Sequence, residues 1–193
     1  MSDTRDLIGA GARGPSLHVD PTGVEDTVRH YIRDLIYGAN DGVLTTFAVV
    51  AGVTGGTLSA GTVLVVGIAN LLADGMSMGV GNYLGIQAEE SVRAAQGLAE
   101  REARPARHGA ATFLAFVLAG VVPLVPYLVS GATSRRFGWA AAAALATLFA
   151  VGAARALVTT DRWWRTGLEM LALGAAVAGV AYATGALVAG LVR

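Results

Sequence analysis

The 193-residue chain contains no cysteine and, reading along it, no lysine; charged side chains make up only 15% and aromatic ones 7%. Without cysteine there is no disulfide and no thiolate metal site. The formal net charge of zero removes the electrostatic basis for binding nucleic acid. Apolar residue types fill the space that charge leaves, at 54% with a mean hydropathy of +0.56, too apolar for an ordinary soluble domain. No charged side chain occurs from Gly42 to Ala73, Gly109 to Ser134, Phe137 to Ala154 or Met170 to Val192.

A bilayer span needs about 20 apolar residues, so the last three runs each fit one helix and the first holds most of two. The break within the first run is TGGTLSAG, Thr54 to Gly61. Its paired glycines and Ser59 read as a tight turn followed by a helix N-cap. The sequence therefore predicts an all-α polytopic membrane protein with five spans, at 35–55, 59–86, 108–130, 137–158 and 163–190. Residues 1–33 form a mixed-charge tail that lacks the apolar core of a signal peptide, with helix from Thr22 into the membrane. Residues 34–193 are the five-helix domain, with a short connection at 87–108. Pro123 and Pro126 are expected to kink the third span.

Arginine sets the orientation. With five spans, Arg5, Arg13, Arg29 and Arg33 of the tail share a side with Arg93 to Arg107 and with Arg155, Arg162 and Arg165, against Arg135, Arg136 and Arg193. The positive-inside rule makes the tail cytoplasmic. Trp163 and Trp164, between Arg162 and Arg165, fit an interfacial anchor. Alanine-rich, lysine-free composition suggests a GC-rich prokaryotic source, hence the plasma membrane; in a eukaryote it would be the vacuolar membrane.

Polar residues within the spans carry the chemistry. At 1.5 Å per residue from the cytoplasmic end, Asp41 lies ~9 Å deep on the first helix and Met78 ~12 Å deep on the second, followed by Asp74 at ~18 Å and Asn70 at ~24 Å. Met78, Asp74 and Asn70 have i, i+4, i+8 spacing and share a face, whereas Met76 points away. Carboxylate and amide oxygens replace the water shell of a divalent cation, and a thioether biases the choice toward a transition metal such as ferrous iron. A carboxylate also accepts a proton as the ion leaves. The alternative is a non-transporting scaffold whose acids are clasps between helices. Arg155 and Glu169, facing each other across the last connection, make either an ion pair or an accessory site. Glu89, Glu90, Glu100 and Glu102 read as a solvated face with Arg93, Arg101 and Arg104 as partners; the alternative is a metal-collecting role, against which the acids are few and those arginines would neutralise them. His18, His30 and His108 fall outside the spans and read as solvated or interfacial. Glycine pairs Gly38/Gly42, Gly52/Gly56, Gly75/Gly79 and Gly81/Gly85 allow close helix contact.

YGANDGVLTTFAVVAG followed by IANLLADGMSMGVGNYLG closely resembles the first two helices of the vacuolar iron transporter family, which includes a plant nodulin-like branch and many bacterial members. The resemblance is strong over Ile32 to about Ala88 and extends more weakly through the five-helix layout. It implies a homodimer, with no resident cofactor and no enzymatic activity. Such a dimer moves ferrous iron, in some cases manganese, out of the cytosol in exchange for protons, along a path at the dimer interface. The family's pore aspartate and methionine match Asp41 and Met78, and a polar pore position that is glutamate in some members is matched by Asn70. Better-known members insert a glutamate-rich metal-binding domain between helices two and three; residues 87–108 are too few for it, so this chain resembles the short type that lacks it.

Overall fold

Among the described residues, six α-helices follow from the apolar runs and from the residues that interrupt them. The computed structural model describes residues 16–129, 135–157, 159 and 161–192. Arg5 and Arg13 of the tail, and Arg193, lie outside the described residues. The helices are α1 (Gly23–Gly55), α2 (Ala60–Ala95), α3 (Pro105–Gly120), α4 (Val125–Val129), α5 (Arg136–Arg155) and α6 (Trp163–Val192). No strand occurs among the described residues. Five helical segments are long and apolar enough to cross a membrane, α3 and α4 together forming the third, Pro105–Val129.

The interruptions have local causes. Between α1 and α2, Ser59 Oγ accepts the Thr62 N–H at 3.1 Å, satisfying one of the donors that a helix start leaves free. Thr57 precedes it with φ 56°, the left-handed geometry of a tight reversal. In the third span, Pro123 lacks an N–H and its ring crowds the preceding turn, so the α-helix gives way to a 3₁₀ turn at Val122–Leu124 before α4 resumes. α2 continues well past its apolar run and ends at Ala95, where Gly97 takes φ +68°, a conformation glycine adopts without steric cost. α1 likewise runs unbroken from Gly23 through Arg33 into its apolar part.

α1 is the axis of the bundle, contacting α2, α3, α5 and α6. Two apolar clusters seal it. One gathers Val50, Val63, Leu71, Phe116, Leu124 and Tyr127; the other joins Val43, Phe47 and Ala51 to Ala144, Leu148 and Ala178. The closest approaches are backbone to backbone: a methyl group at Gly42 would overlap the Phe116 carbonyl of α3, and one at Gly55 would overlap the Tyr182 carbonyl of α6. Without a strong hydrophobic force between helices in lipid, such close packing is what holds the bundle together. A methyl group at Gly81 or Gly85 on α2 would meet nothing within 4 Å among the described residues. Large apolar side chains such as Val65, Leu72, Val80, Leu84, Leu187 and Leu191 point outward, the pattern of a surface solvated by lipid rather than water.

Candidate metal path and the polar network beside it

On α2, Asn70, Asp74 and Met78 are all partly buried, while Met76 turns outward with 61% of its surface exposed. Four-residue spacing produces this division, because i and i+4 side chains lie one above the other. Asn70 Nδ2 donates to Asp74 Oδ2 at 2.8 Å, so the amide and the carboxylate of one face act together. Asp41 on α1 is partly buried, and its carboxylate lies within electrostatic range of Asp74. Two like charges on neighbouring helices repel unless a cation or a proton sits with them. Among the described residues, no hydrogen bond or ion pair reaches the Asp41 carboxylate. Met78 packs against the apolar cluster around Phe116 and also lines a cleft with Arg33, Tyr37, Gly81, Asn82 and Glu89.

The other expected pair is not joined. Arg155 and Glu169 share a polar cavity with Asp161, Arg162, Arg165 and Thr166, but among the described residues no ion pair links them. The tryptophan anchor takes the expected place at the start of α6, with the Arg165 guanidinium 5.2 Å from the Trp164 ring, a cation–π distance.

A second polar group lies deeper than its sequence suggests. Asp34 is 2% exposed. It accepts hydrogen bonds from Asn82 Nδ2 at 2.9 Å and from His108 Nδ1 at 2.5 Å. Because a carboxylate only accepts, Nδ1 carries the hydrogen. Asn82 Nδ2 also donates to Thr112 Oγ1 at 2.8 Å, and Thr112 Oγ1 donates to the His108 carbonyl. Asn82 stands one turn beyond Met78, so the ladder of α2 runs Asn70, Asp74, Met78, Asn82. Extending the same four-residue spacing by one step would have found it.

The histidines, expected to be solvated or interfacial, gather around one carboxylate, two of them largely buried. His108 is 7% exposed and the His18 side chain 8%; both surround Glu102 with His30. His18 Nδ1 lies 3.2 Å from Glu102 Oε1, and His30 Nε2 lies 3.4 Å from Oε2. His108 Nε2 lies 3.0 Å from the same oxygen, without the alignment of a hydrogen bond. The arginine partners expected for the acids also differ. Glu90 accepts the backbone N–H groups of Arg101 and Glu102, Arg93 donates to the Ala99 carbonyl, and Arg104 pairs with Asp20 at 2.6 Å. Local charge alternation suggested neighbours in sequence, whereas the connection folds back so that its acids serve its own backbone and the histidines. Burial alone would raise the Glu102 carboxyl, but the Arg104 N–H and the neighbouring rings of His108 and His18 outweigh it and hold it below the usual carboxylate range.

The VIT family model matches residues 32–103 and 91–186. The vacuolar iron transporter of Toxoplasma gondii is 46% identical over 65 residues, 34% of this chain and 22% of that protein. Vacuolar iron transporter 1 of Arabidopsis thaliana is 40% identical over 76 residues, 39% of this chain and 30% of that protein. The matched stretches thus span less than a third of these two relatives. Vacuolar iron transporter 1 of Eucalyptus grandis is similar over a longer range, 24% identical over a 213-residue alignment that covers 81% of this chain and 86% of that one. With five apolar spans and a family match running nearly end to end, the chain is an integral membrane protein and belongs to the VIT family.

Proposed function

We propose that the protein is a carrier rather than an enzyme, moving divalent transition-metal ions, Fe²⁺ and/or Mn²⁺, out of the cytosol in exchange for protons. The observation that carries this reading is the polar face of α2, where Asn70 is bonded to Asp74 and Met78 stands one turn away, with the partly buried Asp41 on the neighbouring α1. Asp41 and Asp74 supply hard oxygen ligands, Asn70 orients Asp74 and adds an amide oxygen, and Met78 supplies the soft ligand that disfavours magnesium and calcium. Protonation of the carboxylates as the ion leaves couples the two fluxes. The scaffold alternative needs acids clasped between helices; here Asp74 is bonded within its own helix and Asp41 has no such clasp among the described residues.

The working unit is a homodimer, with the N-terminus cytoplasmic and the protein in the plasma membrane of a prokaryote or the vacuolar membrane of a eukaryote. Gly81 and Gly85, open on the α2 surface beside the Met78 cleft, give a second copy room for close backbone approach. The names of the relatives, vacuolar iron transporters, support iron as a transported ion. In proteoliposomes carrying an internal pH indicator, a gradient of Fe²⁺ or Mn²⁺ should drive proton movement that Asp41→Ala and Met78→Ala abolish. No proton flux with Fe²⁺, Mn²⁺, Co²⁺ or Zn²⁺ would sink the proposal.

A further inference from the structure

The cluster around Glu102 is assembled from four separate segments: His18 from the stretch before α1, His30 from α1, Glu102 from the α2–α3 connection and His108 from α3. The ligand atoms of His18, His30 and Glu102 lie within 4.8 Å of one another, and His108 Nε2 is 3.0 Å from Glu102. We propose that these four residues form a binding site for a first-row transition-metal dication, separate from Asp41, Asp74 and Met78.

Three features favour a metal over a set of simple ion pairs. The first is the unpartnered donors. His30 Nε2 and His108 Nε2 are both buried without a hydrogen-bond partner, and both face Glu102. Neutral imidazole nitrogens turned toward a carboxylate bring lone pairs together with no hydrogen between them, which is a place for a cation. The second is spacing. Ligands held at about 2.0–2.1 Å in a tetrahedral shell stand about 3.3–3.4 Å from one another. Glu102 Oε1 stands 3.2 Å from His18 Nδ1, and Oε2 stands 3.4 and 3.0 Å from His30 Nε2 and His108 Nε2, while the ligand atoms of His18, His30 and Glu102 stay within 4.8 Å of one another, a shell that small side-chain shifts close onto an ion.

The third feature is the outer shell. A metal-bound histidine typically donates its other ring N–H to a carboxylate, which fixes tautomer and ring orientation. His108 does this through Nδ1 to Asp34, and His18 places Nε2 3.3 Å from Asp20. Asp20 is itself held by Arg104 at 2.6 Å. The Leu17 N–H donates to the Glu100 carbonyl at 2.8 Å, so the segment bearing His18 is docked on the connection that bears Glu102. Three imidazoles and one carboxylate suit Zn²⁺, Fe²⁺, Co²⁺ or Ni²⁺, whereas Mg²⁺ and Ca²⁺ prefer all-oxygen shells.

The test measures binding rather than transport, so its outcome is independent of the flux assay. The full-length protein in detergent, carrying Asp41→Asn, Asp74→Asn and Met78→Ala to disable the other proposed metal site, is titrated with Co²⁺ under equilibrium dialysis, and the bound ion is examined by X-ray absorption. The expected result is one Co²⁺ per chain with the scattering signature of imidazole ligands. His18→Ala and His30→Ala should each weaken binding by more than the ~10–100-fold that follows loss of an outer-shell partner, and Glu102→Gln should do the same. These replacements are preferred to His108, whose loss would also unpair Asp34; an unchanged helical circular dichroism spectrum confirms that each variant is folded. Absence of bound Co²⁺ in the starting protein, or equal affinity in the folded His18→Ala and His30→Ala variants, overturns the assignment.

Discussion

Asn82 offers the sharpest quantitative test of the interior polar network. Its amide donates at 2.9 Å to the Asp34 carboxylate and at 2.8 Å to Thr112 Oγ1, joining α2 to α1 and α3 at a point where Asp34 is 2% exposed. Asn82→Ala deletes both bonds and leaves a buried carboxylate with one fewer donor. A hydrogen bond to a charged group contributes about 1.5–3 kcal/mol and a neutral one about 0.5–1.5 kcal/mol, giving roughly 2–4 kcal/mol for the pair. Hydrogen bonds between membrane helices average about 0.6 kcal/mol, which places the lower bound near 1 kcal/mol for two. The variant should therefore lose about 1–4 kcal/mol in denaturant unfolding in detergent micelles, followed by circular dichroism. Asn82 and Thr112 share a bond, so a cycle with Thr112→Val should return a coupling of about 0.5–1.5 kcal/mol. A loss below about 0.5 kcal/mol for Asn82→Ala, or strict additivity with Thr112→Val, would refute the reasoning.

Glycine substitutions should separate packed from open surfaces. Gly42→Ala pushes a methyl group into the Phe116 backbone and should cost about 1–3 kcal/mol by the same unfolding measurement; Gly81→Ala meets nothing within 4 Å among the described residues and should gain about 0.5–1 kcal/mol of helix propensity in the monomer. If the second copy packs there, Gly81→Ala should also lower the dimer fraction measured by analytical ultracentrifugation, and an unchanged fraction would move the dimer interface elsewhere. Because the chain has no native cysteine, engineered pairs are clean probes of motion. A disulfide between α1 and α3 at the level of Phe116 should spare proton-coupled metal flux, and one between α1 and α2 at the level of Asp74 should stop it.

The features readable from sequence were those with a local cause. Ser59 marked the start of α2 because an N-cap needs only its own next three residues, and Pro123 marked the break in the third span for the same kind of reason. Helical spacing placed Asn70, Asp74 and Met78 on one face and turned Met76 away. The pairing of Asp34 with Asn82 and His108 joins residues 48 and 74 positions apart, a separation at which periodicity carries no information. His18, His30 and His108 read as solvated or interfacial because each, taken with its neighbours, stands in a polar stretch, which gives no sign of the burial of His108 and the His18 side chain. Only the folding of the connection onto α1 and α3 buries them. The arginines beside Glu89 to Glu102 misled in the opposite direction, since adjacency in sequence offered partners that the fold uses for other purposes.

The glycine contacts also divide the bundle mechanically. α1 is pinned at Gly38 and Gly42 against α3 and at Gly55 against α6, with Gly185 of α6 pressed onto Gly52 in return, each contact against backbone that cannot rotate aside. Sliding or rolling α1 would part several such contacts at once, so α1, α3 and α6 behave as a stator. Among the glycines of α2, Gly79 meets the α3 backbone at Gly109, whereas Gly67 and Gly75 meet only the side chains of Leu124, Phe113 and Phe116. A tilt of α2 about that crossing would have to part the Asn82 bonds to Asp34 and Thr112, whereas Asn70 and Asp74 are bonded to each other within α2 and would move as a pair.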